Sequence, residues 1–189
     1  MVESYPKLLL SNHPNALRLY PAVFEIRKSC PNVDIVVDAL FANFIKPFGF
    51  KTVETYSPKK ASWSNDPKDV LKINLMLSLG KMLGSYNNAF QGDQVVDEVV
   101  KRLKPGRDVL ICPSGVTNES VKWRHGIGKI LHKLGDDIHL CFVYIPSNFV
   151  DETNISRVFT VGSIIPQYQD YSPEKLATEL QKQYHLSRG

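Results

Sequence analysis

Two short segments of the chain place reactive residue types where an apolar run ends in a turn. The first is LLLSNHPNALRLYPAVF, in which His13 follows at once on the run Leu8–Ser11. The second is DVLICPSGVTN, in which Pro113-Ser114-Gly115 follows on Cys112. An imidazole titrates near neutral pH, so His13 is the strongest candidate for a general base that takes a proton from a hydroxyl. A turn such as Ser114-Gly115 can present backbone N–H groups to an oxyanion or a phosphate. In open α/β sheets, ligands bind in crevices outside the carboxyl ends of strands. If the two strands are neighbours, His13 and Ser114 face one crevice. The alternatives are a histidine that caps a turn and a turn that simply needs glycine.

The remaining reactive residues give weaker patterns. His125 and His132 fall on a basic helical stretch, His139 starts a strand, and His185 lies near the C-terminus. A zinc site from His125, His132 and Cys141 lacks any standard ligand spacing, so no metal is expected. Neither a Walker glycine pattern nor a G-x-S-x-G elbow is present. Cys30, Cys112 and Cys141 are three widely spaced cysteines without CxxC, which reads as free thiols in a reducing cytoplasm.

The elements that must hold these residues alternate between strand and helix patterns, the signature of a layered α/β domain. Strands are expected at Lys7–Ser11, Val33–Val37, Phe50–Glu54, Asp108–Cys112, His139–Ile145 and Arg157–Val161. Several are apolar on consecutive residues, as in strands covered on both faces. One helix opens at Gly92-Asp93 and closes at Pro105-Gly106, with Val95, Val96, Val99, Val100 and Leu103 on one face. Another spans Asn118 to Gly135 with Trp123, Ile127, Ile130, Leu131 and Leu134 inward. Ser172-Pro173 caps a third, with Leu176, Ala177, Leu180 and Tyr184 inward. Asp66-Pro67 opens a helix to Leu83 that is apolar almost all round. Such a helix is buried by neighbours or lies in a membrane interface, and burial is the default expectation. Tyr56–Asp66 reads as a loop carrying Lys59, Lys60 and Trp63.

Size and composition bound the function. The 189 residues are 43% hydrophobic and 22% charged, enough for a sizeable core. No linker divides them, so a single domain over residues 1–189 is expected, its mixed, mostly parallel sheet flanked by helices. No apolar run reaches the roughly 20 residues of a membrane-spanning helix, and the N-terminus does not read as a signal peptide. The net charge of +4 is too mild to demand a nucleic acid, and none is expected.

Taken in order, SNHPNALR, CPSGVTN and WRHGIGKIL, followed by VYIPSN with Pro146, resemble the glycerolipid acyltransferases of the lysophosphatidic-acid acyltransferase type. DALFANFIKPFGF resembles that family's second strand and helix, and the resemblance covers about Leu8 to Pro146. It implies a glycerol-phosphate-acyltransferase-like fold and transfer of an acyl group from acyl-CoA or acyl carrier protein to a hydroxyl acceptor, with no other cofactor. It implies catalytic roles for His13 and Ser114. It implies substrate binding at Asn12, Arg18, Pro113, Gly115, Val116, Thr117 and Asn118. The chain departs from the family at three charged positions: Arg18 replaces the Asp that orients the histidine, Ser114 replaces a Glu, and Thr117 replaces the phosphate-binding Arg. A cation near an imidazole disfavours its charged form. A divergent acyltransferase, an inactive lipid- or acyl-carrier-binding module, and a hydrolase with Ser114 as nucleophile are therefore the three readings. The family's usual N-terminal hydrophobic helices have no counterpart in this sequence. A cytoplasmic protein is expected, with attachment to the inner face of an anionic membrane through the 67–83 helix and nearby lysines as a further expectation.

Overall fold

The run KLLLS forms β1 (Lys7–Ser11), the strand around which the sheet is arranged. In this computed structural model residues 5–13, 16–58, 67–115, 121–146, 153–156 and 158–188 are described. The further strands are β2 (Asp34–Asp38), β3 (Lys51–Thr55), β4 (Val109–Ile111), β5 (His139–Tyr144) and β6 (Asn154–Ile155). Their order across the sheet is β3-β2-β4-β1-β5-β6. β1 to β5 pair in parallel and β6 pairs antiparallel to β5. The helices are α1 (Ala16–Ser29), α2 (Ala39–Ile45), α3 (Pro67–Met82), α4 (Asp93–Leu103), α5 (Gly126–Leu134), α6 (Val161–Ile164) and α7 (Pro173–Leu186).

The consecutive leucines of β1 fit a strand with helices on both sides. Leu8 and Leu10 join the core built with α4, α5 and α7, while Leu9 joins the one built with Ala22, Val23 and Ile26 of α1. All three are fully buried, and each burial stabilises the fold by about 1.5–3 kcal/mol. This is the α/β arrangement that the strand–helix alternation predicts, with a mostly parallel mixed sheet flanked by helices.

The base of the sheet is pinned electrostatically. Asp34 opens β2 with a fully buried carboxylate that accepts from Arg102 Nη1 at 3.0 Å and from Arg107 Nε at 3.0 Å. Arg107 Nη2 makes a second, shorter contact to Asp34 Oδ1. Arg102 thereby ties α4 to the strand, and its Nε donates to Glu98 Oε1 one turn back on the same helix at 2.8 Å.

Three expectations change. Arg157 of the expected Arg157–Val161 strand lies outside the described residues; of the rest, Phe159 makes an isolated antiparallel bridge to Leu140, and Thr160 then caps α6, its Oγ1 accepting from Ser163 N. Helix α5 begins only at Gly126. Trp123 lies ahead of it in irregular backbone, buried against the Tyr184 ring with 5.3 Å between centroids. α3 is the third case. Only one side of it is covered, by Ala39, Leu40 and Tyr86, while Leu71, Leu75, Leu79 and Met82 are exposed. Its all-round apolarity does not translate into all-round burial.

Candidate active site

The connectivity of the sheet makes one crevice. β1 and β4 are neighbours, yet the chain leaves β1 into α1 on one face of the sheet and leaves β4 for α5 on the other. Adjacent strands whose connections run to opposite faces leave a gap at their carboxyl ends. The register Leu10↔Ile111 aligns those ends. Just beyond it, Ser11 Oγ and Cys112 Sγ lie 3.1 Å apart. The two reactive segments are thus brought side by side.

A cavity of about 570 Å³ opens there, between the strand ends, α3, α4 and α5. His13 and the turn residues Cys112, Pro113 and Gly115 line it. Most of its wall is aliphatic, with Val36 and Ile111 from the sheet, Val96 from α4 and Ile127 from α5. α3 contributes Ile73 and Met76. Its size and apolar lining suit a small-molecule chain rather than a highly charged ligand.

The strand ends are held by a clamp. Asn12 Nδ2 donates to Ile145 O at 2.7 Å, and Asn12 Oδ1 accepts from Ile145 N at 2.8 Å. The Tyr184 hydroxyl donates to Asn12 Oδ1 at 3.2 Å and accepts from Asn12 N at 3.3 Å. Asn12 therefore positions the chain at His13. Arg18, buried on α1, donates from Nε to Pro146 O at 3.3 Å, next to the same clamp. Neither Asn12 nor Arg18 lines the cavity.

The CPSG turn closes by a bond from Gly115 N–H to Cys112 O at 3.0 Å. Gly115 has φ of +68°, a conformation that favours glycine. Its amide is thus engaged inside the turn. Ser114 is buried, and the cavity is lined by its neighbours Pro113 and Gly115. Val116, Thr117 and Asn118 lie outside the described residues.

Beside Thr55, Ser57, Asp93 and His125, the polar wall holds Arg124, Lys72 and Asp38, which no local motif marks as site residues. Arg124 is fixed beside the turn by its N–H, which donates to Pro113 O at 3.0 Å, and its side chain lines the cavity. Its Nε is shut off from solvent, and desolvation lowers the guanidinium pKa below its ordinary value. Lys72 lines the rim from α3. Asp38, at the end of β2, caps α2 by accepting from Leu40 N at 3.1 Å, and its Oδ1 also accepts from the Tyr86 hydroxyl at 3.0 Å. Burial first, and then the Asp38 charge, push the Tyr86 hydroxyl above its usual range. β4 lies between β2 and β1, so Asp38 and His13 leave strands about 10 Å apart. The only sequence signal for Arg124 was its place in WRHG.

Among the described residues no helix is long and apolar enough to cross a membrane. Comparison of the chain with protein-family models, with curated proteins and with solved structures gives no match.

Proposed function

We propose that the protein transfers an acyl group from a thioester, acyl-CoA or acyl carrier protein, to a hydroxyl acceptor, with His13 as general base. One observation carries this reading: His13 and the Cys112–Gly115 turn line one apolar cavity, at the carboxyl ends of adjacent strands whose connections run to opposite faces. In the proposed step His13 takes the proton of the acceptor hydroxyl. The oxygen then attacks the thioester carbonyl, and the tetrahedral intermediate collapses with loss of the thiolate. The thiolate recovers the proton from the imidazolium, so charge and atoms balance. Arg124, the desolvated cation of the wall, offsets the negative charge on the carbonyl oxygen. The cavity takes the acyl chain. The resemblance to glycerolipid acyltransferases supports the same chemistry and the corresponding fold type.

The test is thiol release from long-chain acyl-CoA or acyl carrier protein in the presence of a glycerolipid or simple alcohol acceptor. Wild type is expected to release thiol and His13→Ala to lose the activity by a factor of roughly 10²–10⁴. Equal release by both overturns the proposal.

A second reading has its own observation. Arg18, at the position where the resemblance has the Asp that orients the histidine, donates to Pro146 O. A cation at that position disfavours an imidazolium and weakens the base. An inactive acyl-binding module is the reading that remains if acyl chains bind stoichiometrically and no thiol appears.

A further inference from the structure

We propose that the outward face of α3 seats on an anionic lipid surface, with the cavity opening directly behind it. The proposal goes beyond the catalytic reading and does not require turnover.

α3 has two apolar sides with different fates. Ile73 and Met76 turn to the cavity, and Leu77 and Gly80 pack on the cluster with Tyr86. On the opposite side Leu71 is 71% exposed, Leu75 70%, Leu79 42% and Met82 77%. Their spacing of four, four and three residues keeps them on one stripe. At 1.5 Å per residue the stripe from Leu71 to Met82 runs about 17 Å along the helix. Leu83, at the end of the helix, extends it and is 60% exposed. Soluble surfaces seldom carry so many large aliphatic side chains in one line, and such patches mark interaction sites.

The charges around the stripe choose the occupant. Lys68 stands at its N-terminal end, Lys72 flanks one side and Lys81 the other, all exposed, and Asp69 is the helix's single acidic residue. In a two-fold pairing of antiparallel α3 helices, Lys68 of each copy would approach Lys81 of the other. A parallel pairing would oppose Lys72 to Lys72. Both place like charges together, which is unfavourable. An anionic bilayer meets the same pattern favourably: aliphatic side chains enter the acyl boundary, and lysines reach up to the headgroups. Lys72 belongs both to this face and to the cavity rim, so an anionic headgroup held there has its chain beside the cavity mouth.

The experiment is co-sedimentation of the full chain with vesicles of phosphatidylcholine alone or with 30% phosphatidylglycerol, without substrate. Binding is expected to the anionic vesicles, to weaken with salt, and to fall tenfold or more in Leu71→Ser/Leu75→Ser/Met82→Ser. These positions are exposed, so the fold is retained, and circular dichroism verifies it. Leu186→Ser, exposed on α7, is expected to bind as wild type. Lys68→Gln/Lys72→Gln/Lys81→Gln is expected to lose about a hundredfold of the anionic preference. Equal sedimentation of wild type and the triple-serine variant overturns the proposal. So does a wild-type dimer in light scattering that the triple-serine variant abolishes. His13→Ala is expected to bind vesicles like wild type, and the triple-serine variant to keep any thiol release from soluble acyl-CoA. Failure here is thereby separated from failure of the catalytic reading.

Discussion

Asn12 grips both backbone groups of Ile145, donating to its carbonyl at 2.7 Å and accepting from its amide at 2.8 Å. The side chain thus imitates one more residue of parallel pairing where β1 and β5 have already ended. It fixes the exit of β1, and with it the start of His13, against β5 and against Tyr184 of α7. Asn12→Ala removes both partners and leaves two buried backbone groups unsatisfied, at about 1–3 kcal/mol each. A loss of about 2–5 kcal/mol in denaturant unfolding is expected. Asn12→Asp keeps the acceptor and loses the donor to Ile145 O, and is expected to be at least as damaging at neutral pH. Wild-type unfolding midpoints for both variants would contradict the positioning role.

Arg124 faces an apolar cavity with its guanidinium pKa lowered by desolvation. An anionic ligand in that cavity is expected to depend on it, and an uncharged ligand of equal length is not. Arg124→Gln is expected to weaken binding of a fluorescent long-chain carboxylate by about 10–100-fold, the range of a charge-assisted hydrogen bond. Binding of the matching long-chain alcohol should be unaltered. Parallel loss for both probes means that Arg124 shapes the cavity rather than charging it.

The buried thiols set an alkaline limit. Burial raises Cys30 and Cys141 to about 11, from an ordinary value of 9.0. A folded-state pKa above the unfolded one means that the fold favours the protonated thiol. The stabilisation is complete below pH 9.0 and is lost as pH climbs toward about 11. The melting temperature is expected to fall steeply across that window. Cys30→Ala/Cys141→Ala, less stable at pH 7 through lost packing, should show a shallower decline. In native protein at pH 8 a thiol reagent is expected to modify Cys112, which is half-buried, well before the other two.

The Asp34 carboxylate is enclosed by Arg102 and Arg107. Breaking a buried pair from one side costs more than the pair contributes, because the remaining charges stay desolvated. Asp34→Ala is expected to cost about 3–5 kcal/mol, measured by chemical denaturation, with no direct effect at the distant carboxyl end of the sheet. Replacing Asp34 and both arginines together by apolar residues is expected to recover much of that loss.

What could be read from the sequence was what depends on local pattern. β1 declares itself by three consecutive leucines. α4 and α7 do so by one-face spacing between clear stop signals, and the structure buries Val96, Val99, Leu176 and Leu180 accordingly. α1 carries no clear helical signal, because Pro21 lies inside it and the turn-forming residue types of SNHPN precede it. The 157–161 segment has the residue types of a strand, yet among its described residues, 158–161, pairing runs through Phe159 alone before Thr160 starts a helical turn. Periodicity shows that α3 is apolar but not which side is covered. The cavity wall was legible only at His13 and the CPSG turn. Arg124, Lys72 and Asp38 join it through the strand order, which places β4 between two strands that precede it in the chain. No local spacing encodes that insertion.

The same insertion governs the birth of the molecule. Lys7 is bonded to Asp108, 101 residues further along, and β5 arrives later still. On a ribosome adding about 5–20 residues per second, β1 waits some 5–20 s for its first neighbour. Throughout that interval a segment of three leucines has both edges bare, the state in which strands find wrong partners. The strand that founds the site therefore waits longest for its partners. Its protection during synthesis falls to whatever shields nascent chains, and mutations that slow the arrival of β4 should reduce soluble yield before they reduce stability.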